Sequence, residues 1–177
     1  KPVYIIAGGF DVASVPRISY GAMIGGSRKQ IGNWILSKAT KVISVSKSNY
    51  KQAVSLIKRA GKLEKKDKID KAKKLYSQAF QKLEKAHKSD KKNPDILNYM
   101  GFTTRKVGNF EQAEKYYLKG LSIKPNHNGI NEYLGELYVQ TNRINKANER
   151  LEVLKGCNCE EYNELELIIK TKGSKVY

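Results

Sequence analysis

A repeat with a fixed period constrains this chain more than any single motif in it. Gly101 recurs as Gly135, Phe110 as Ile144 and Ala113 as Ala147, each 34 residues on. Self-similarity at this period means stacked helix–turn–helix units, each burying its apolar face against the next. In the unit at 94–125 the spacing predicts helices over about 95–106 and 110–122, with Gly108-Asn109 as the turn. Asn93 can cap the first helix, and Pro94 suits its first turn. The next unit predicts helices over 128–140 and 144–155, joined by Thr141-Asn142-Arg143.

An earlier copy emerges when Ala72 is aligned with Ala113. Leu56 then falls on Leu97, Ala60 on Gly101, Ile69 on Phe110 and Tyr76 on Tyr117. Small residues let two helix axes approach, and the larger ones fill the space between them. Ala72 and Ala113 stand 41 residues apart, seven more than the period. Seven residues are two helical turns, so the surplus reads as a longer helix over 71–88, with Ala79, Leu83 and Ala86 continuing its apolar stripe. Past Gly156, residues 160–171 place Tyr162, Leu165, Ile168 and Ile169 on one helical face. This fits a helix that covers the exposed core of the last unit, followed by a frayed tail from Gly173.

The net charge of +17 is unevenly spread. Residues 51–92 hold 15 basic and 5 acidic side chains, and residues 93–177 hold 12 and 11. A lysine-rich helical face is either ordinary solvated surface or an attraction for an acidic partner, nucleic acid or an anionic surface. The apolar stretch 3–7 behind Lys1 is too short for a signal-peptide core. No apolar run approaches the roughly 20 residues that cross a bilayer. A cytoplasmic protein is expected, although a chain that begins with Lys is processed or a fragment, and a removed signal stays open. Cys157 and Cys159 are the only cysteines. A bond between positions i and i+2 closes a small ring, so packing or incidental thiols are expected rather than a disulfide. Two thiolates, with His87 and His127 far off in sequence, do not make a zinc site.

The first fifty residues have another character. Residues 3–7 are apolar and end at Gly8-Gly9, and 10–26 hold four glycines and prolines with no helical period. Ser27 can cap a helix over 28–39, residues 41–45 are a second β-rich run, and Ser46 can cap the helix after it. Strand, loop, helix, strand is the order of a small parallel α/β unit. Gly-Gly-Phe-Asp-Val-Ala at 8–13, Pro-Arg-Ile-Ser-Tyr-Gly at 16–21 and Lys-Ala-Thr-Lys-Val-Ile-Ser-Val-Ser at 38–46 resemble the N-terminal subdomain of group 1 (family 4) glycosyltransferases of the GT-B fold. That resemblance implies a glycine loop facing an inter-domain cleft. It also implies a donor-binding domain with a basic pair and two spaced glutamates, which nothing after residue 50 resembles. Asp11 is the only carboxylate here, and alone it cannot run glycosyl transfer. It reads as a turn residue, and Gly8-Gly9 is a weak phosphate signal.

From residue 50 on, the chain resembles the tetratricopeptide repeat family. That family wants a small residue at position 8, Ala at 20, an aromatic at 24, a small residue at 27 and Pro at 32. The unit at 94–127 supplies Gly101, Ala113, Tyr117, Gly120 and Pro125. The unit after it supplies Gly135 and Ala147, with Leu151 and Leu154 in place of the aromatic and small residues. Together with the Cys-rich turn and Glu-Tyr helix, this is similar to small bacterial proteins of the family. The expected fold is mainly α: a short three-unit helical solenoid with a C-terminal capping helix, behind a small incomplete α/β segment. The expected divisions are 1–49, 50–92, 93–127, 128–156 and 157–177.

The resemblance also implies a concave groove built from the first helix of each unit. Its positions 2, 5, 9, 12 and 13 fall on Val54, Ile57, Gly61, Glu64 and Lys65, then on Asp95, Asn98, Phe102, Arg105 and Lys106. In the third unit they fall on Gly129, Glu132, Glu136, Val139 and Gln140. Asn98, Phe102, Arg105, Lys106, Glu132 and Glu136 are the candidate groove residues, Asn98 for a peptide backbone, Phe102 for a side chain and Arg105 for a carboxylate. The carboxylate clamp that reads chaperone tails in some members needs Lys and Asn where this chain has Ile57 and Gly61, so that partner class is not expected. Tyr99, Tyr116, Tyr117, Tyr133 and Tyr138 read as core rather than base-stacking residues. The function implied is a non-enzymatic scaffold for a protein or peptide ligand, with no cofactor, metal or catalytic residue. The rivals are a glycosyltransferase fragment fused to a repeat module and salt-sensitive binding of nucleic acid or anionic surfaces.

Overall fold

The computed structural model describes the backbone of residues 26–173 and the side chains of residues 32–173. The described residues form seven helices and no strand: α1 Gly26–Glu64, α2 Ile69–Ser89, α3 Pro94–Lys106, α4 Phe110–Ile123, α5 Asn128–Gln140, α6 Ile144–Leu154 and α7 Glu160–Lys170. The chain divides into units of residues 1–42 and 43–177, and the packing below belongs to the second. The fold is a three-hairpin helical solenoid closed by a capping helix, with α1–α2 joined through the core of Ala53, Ile57, Ala60, Ala72 and Tyr76, α3–α4 and α5–α6 as the next hairpins, and α7 against both α5 and α6.

The expected second strand is not formed. Residues 41–45 lie inside α1, and Ser46, expected as a cap, lies inside it too. Ser27 likewise falls within α1, which begins at Gly26. The physical reason is the helical stripe that starts at Ser46. Ser46, Ala53, Ile57 and Ala60 are buried, with Tyr50 half-buried between them, while Val42 and Val45 stay exposed. A stripe at steps of three and four has a partner in α2, and such packing overrides the weak β preference of the Val-Ile-Ser-Val run. The Ser46 hydroxyl donates to the Ala86 carbonyl at 3.2 Å, joining α1 to the far end of α2. The other expected strand, 3–7, and the Gly8, Gly9 and Asp11 readings lie outside the described residues.

The lengthened helix is α2, and its buried stripe is Ala72, Tyr76, Ala79, Leu83 and Ala86. Sequence chemistry sets the later boundaries. The Asn93 side chain accepts from the backbone N–H groups of Asp95 and Ile96, with Pro94 in the first turn of α3. Gly108, at φ +96°, allows the turn into α4, whose cap Asn109 accepts from Gln112. The α5–α6 turn uses Asn142 at φ +58°. At the start of α5, His127 Nδ1 accepts from the Ile130 N–H at 3.2 Å, so the opposite nitrogen carries the proton it donates to Asp95 at 2.9 Å.

Cys157 and Cys159 form a disulfide, against the expectation of free thiols. The reason is the backbone between α6 and α7. Gly156 and Asn158 both adopt left-handed conformations, at φ +85° and +51°. The turn they make brings the two cysteine Cα atoms to 5.2 Å, inside the span a disulfide bridges.

Candidate functional site

A groove of about 300 Å³ opens along one face of α1, α3, α5 and α7. It follows from the repeat: positions four, then three, then one residue apart put Ile57, Gly61, Glu64 and Lys65 of α1 on one face. The same spacing brings Phe102, Arg105 and Lys106 of α3 into the groove, and Glu132 and Glu136 of α5. Five of the six candidate residues therefore line it.

Asn98 does not. It is buried, its amide nitrogen sits under Gly129 at the start of α5, and its Oδ1 has no hydrogen-bond partner in the protein. A Cβ on Gly129 would come within 3.0 Å of that nitrogen, so α5 closes over the side chain instead of exposing it.

Arg105 and Glu136 pair across α3 and α5 at 2.5 Å, with side chains only 2% and 1% exposed. Arg105 also donates to Gln140 Oε1 at 3.2 Å, and its guanidinium lies 5.6 Å from the Phe102 ring and 5.8 Å from the Tyr133 ring. Burial works against the guanidinium charge, and the Glu136 carboxylate outweighs it, so the Arg105 pKa is raised and the charge stays. The expected role for Arg105, gripping a ligand carboxylate, is thus already taken by Glu136. Burial also pushes up the phenol of Tyr117, which sits beneath this pair.

Lys106 donates to Glu64 Oε2 at 3.0 Å, and the Tyr76 hydroxyl donates to the same oxygen at 2.9 Å. The ammonium lies 5.6 Å from Phe102 and 6.0 Å from Tyr76. Phe102 links the rings: it is 5.8 Å from the buried Tyr76 ring and 5.0 Å from Tyr133.

Glu132 has a different surrounding. It is 3% exposed. Burial, a hydrogen bond with the Glu164 carboxyl of α7, and the charges of Glu136, Glu164 and Glu161 hold its pKa well above the usual carboxylate range. Burial and the neighbouring carboxyl together favour the neutral, protonated form of Glu132. Glu164, Tyr133 and Tyr76 are the groove residues that the sequence reading missed. Tyr133 adjoins Glu132, and Tyr76 reaches in from the second helix of its hairpin. Glu164 precedes the buried Leu165, which was the available signal: the capping helix stands where a fourth first helix would. Among the described residues, no group of three or more His, Cys, Asp or Glu side chains is placed to hold a metal ion.

Residues 100–127 match a family model described as tetratricopeptide repeat. No curated protein matches the chain. Among solved structures it is similar to the Arabidopsis OM64 TPR domain, at 15% identity over 70% of this chain and 98% of that one, with a TM-score of 0.46. It is also similar to the Yersinia enterocolitica type III secretion chaperone SycD in complex with a peptide of the translocator YopD, at 16% identity over 67% and 87% of the two chains, with a TM-score of 0.43. A third is the first TPR of Spaghetti (RPAP3) bound to an HSP90 peptide, at 21% identity over 71% and 96%, with a TM-score of 0.44. The glycosyltransferase resemblance gains no such support, and the second strand it requires is helix. The chain thus carries a tetratricopeptide repeat at residues 100–127, the stretch that runs from the middle of α3 through α4.

Proposed function

We propose that the protein is a non-enzymatic scaffold that holds an extended segment of a partner protein in the α1–α3–α5–α7 groove. One observation carries the reading. The groove presents the half-buried rings of Phe102 and Tyr133, with Phe102 backed by the buried Tyr76 ring, while Arg105 and Lys106 beside them are each paired with an acid of the protein. Such a surface offers apolar contact at low entropic cost, and the neighbouring polar groups give register. Phe102 is the anchor, and Lys65 marks the basic end. The test is selection of a displayed library of random 12-residue peptides on the full chain, with Phe102→Ala as the control. Peptides that bind and lose about tenfold or more on Phe102→Ala support the reading. A library that yields no Phe102-dependent binder refutes it.

A second reading rests on a separate observation. The outer face of α2 exposes Lys71, Lys73, Lys74, Lys85 and Lys88, and Lys91 and Lys92 follow. An acidic partner or nucleic acid could be drawn to this face, with affinity that falls steeply as salt is added. A titration with a single-stranded oligonucleotide at two salt concentrations decides it. No helix of the described residues is long and apolar enough to cross a membrane.

A further inference from the structure

We infer that the α5–α7 end of the groove accepts a cationic group of the bound segment, a lysine ammonium or an arginine guanidinium, between Glu132 and Glu164. The inference rests on the peptide-groove reading and names the chemistry that it recognises. Three observations meet here. Each cation in the groove floor that faces an acid is already paired: Arg105 to Glu136 and Lys106 to Glu64. Glu132 and Glu164 instead line the groove together, the Glu164 carboxyl is the side-chain hydrogen-bond partner of Glu132, and the charges acting most strongly on Glu132 are all carboxylates. Finally, Glu136 is almost fully buried, lines the same groove, and has an Oε1 with no hydrogen-bond partner. A buried carboxylate oxygen left without a donor is costly, and an incoming N–H would satisfy it.

Tyr133 borders the same place and faces Phe102. A cation entering beside these rings gains from their electron-rich faces as well as from the carboxylates. The exchange balances simply. The ligand arrives protonated and charged, the Glu132 proton leaves to solvent, and the Glu132 carboxylate beside Glu164 then faces one or two N–H donors. The groups that set this proton are Glu132, Glu136 and Tyr133 of α5, Glu161 and Glu164 of α7, Arg105 and Lys106 of α3, Tyr117 of α4 and Glu64 of α1. Lys106 and Glu64 cancel locally, as do Arg105 and Glu136, so the α5–α7 end stays short of positive charge.

The same random 12-residue library, selected on the full chain, tests the inference. Expected are Phe102-dependent peptides with Lys or Arg at one fixed position, where replacement by Gln costs about tenfold or more in affinity. Calorimetry in two buffers of different ionisation enthalpy should show release of up to about one proton on binding, and affinity should rise with pH between about 6 and 9. Glu132→Gln should remove the proton release, a signature that loss of packing alone would not give. The Glu132→Gln/Glu164→Gln pair should bind the same peptides about tenfold more weakly or worse, while circular dichroism stays that of the wild type. Phe102-dependent peptides with no fixed basic residue, bound equally by the double variant, would overturn this inference and leave the groove reading standing. A library without Phe102-dependent binders would remove both.

Discussion

The α3–α4 and α5–α6 hairpins share a glycine in the first helix and an alanine in the second, yet they fill the space beside the glycine differently. In the α3–α4 hairpin, a Cβ on Gly101 would strike the ring of Tyr117, from the hairpin's own second helix. In the α5–α6 hairpin, a Cβ on Gly135 would strike Leu165 at 2.6 Å, and Leu165 belongs to α7. Leu151, which stands at the aromatic position of that unit, is only half-buried. One unit is therefore closed within itself and the other needs the capping helix. The difference also explains the site: the helix that completes the core brings Glu164 to Glu132.

The largest expected effects test this contrast. Tyr117→Ala should cost about 3–5 kcal/mol and Leu165→Ala about 2–5 kcal/mol in urea unfolding, since each empties a space facing a glycine that cannot refill it. The two should differ in reach. Leu165→Ala should raise amide exchange in α7 and α5 while α3 keeps its protection, and Tyr117→Ala should expose α3 and α4. Gly135→Ala should destabilise the wild type but cost clearly less in the Leu165→Ala background, because the methyl then enters vacated space. Equal cost in the Leu165→Ala background and in wild type would show that Gly135 is not closed by α7.

Much of this was legible in the sequence. The periodicity placed α3 to α7 within a residue or two, because the apolar stripe agrees with the caps Asn93 and Asn109, the glycine turn at Gly108 and the small positions. Five of the six groove residues that the tetratricopeptide resemblance implies line the groove. What was not legible depended on neighbours far along the chain. Asn98 has the right position but lies under Gly129, and Arg105 is held by an acid 31 residues later. The run at 41–45 has strand-like residues, but the α1 helix continues through it into the stripe from Ser46 that α2 buries. The disulfide turned on the conformation of Asn158, which local composition does not dictate.

A medium effect separates the α5–α7 contact from its counterpart in electrostatic terms. The Glu132 pKa is raised in the fold, so the native state holds more protons than the unfolded chain above the ordinary carboxylate range. Its contribution to stability is present in full below about pH 4.5 and falls as pH rises toward the native value. Glu132→Gln should therefore leave the midpoint of thermal unfolding near wild type at pH 4 and stabilise by about 1–3 kcal/mol at pH 8. A gain of the same size at both pH values would place the effect in packing and not in the Glu132 proton.

The smallest effect concerns how the second helices begin. Asn109 caps α4 through its side chain, whereas Arg143 at the start of α6 makes no cap hydrogen bond. Asn109→Ala should cost about 1 kcal/mol. The reverse change, Arg143→Asn, adds a cap of about the same worth, but it removes a 2.8 Å pair with Glu114 and a guanidinium 4.6 Å from the Tyr138 ring. A partly exposed ion pair and a cation–ring contact together amount to roughly 1 kcal/mol, so the two changes should cancel to within about 0.5 kcal/mol in urea unfolding. A gain near 1 kcal/mol would mean that the Glu114 link between α4 and α6 contributes almost nothing. A loss of that size would mean that Arg143 helps to tie the incomplete unit to the complete one, as Leu165 ties it to the cap.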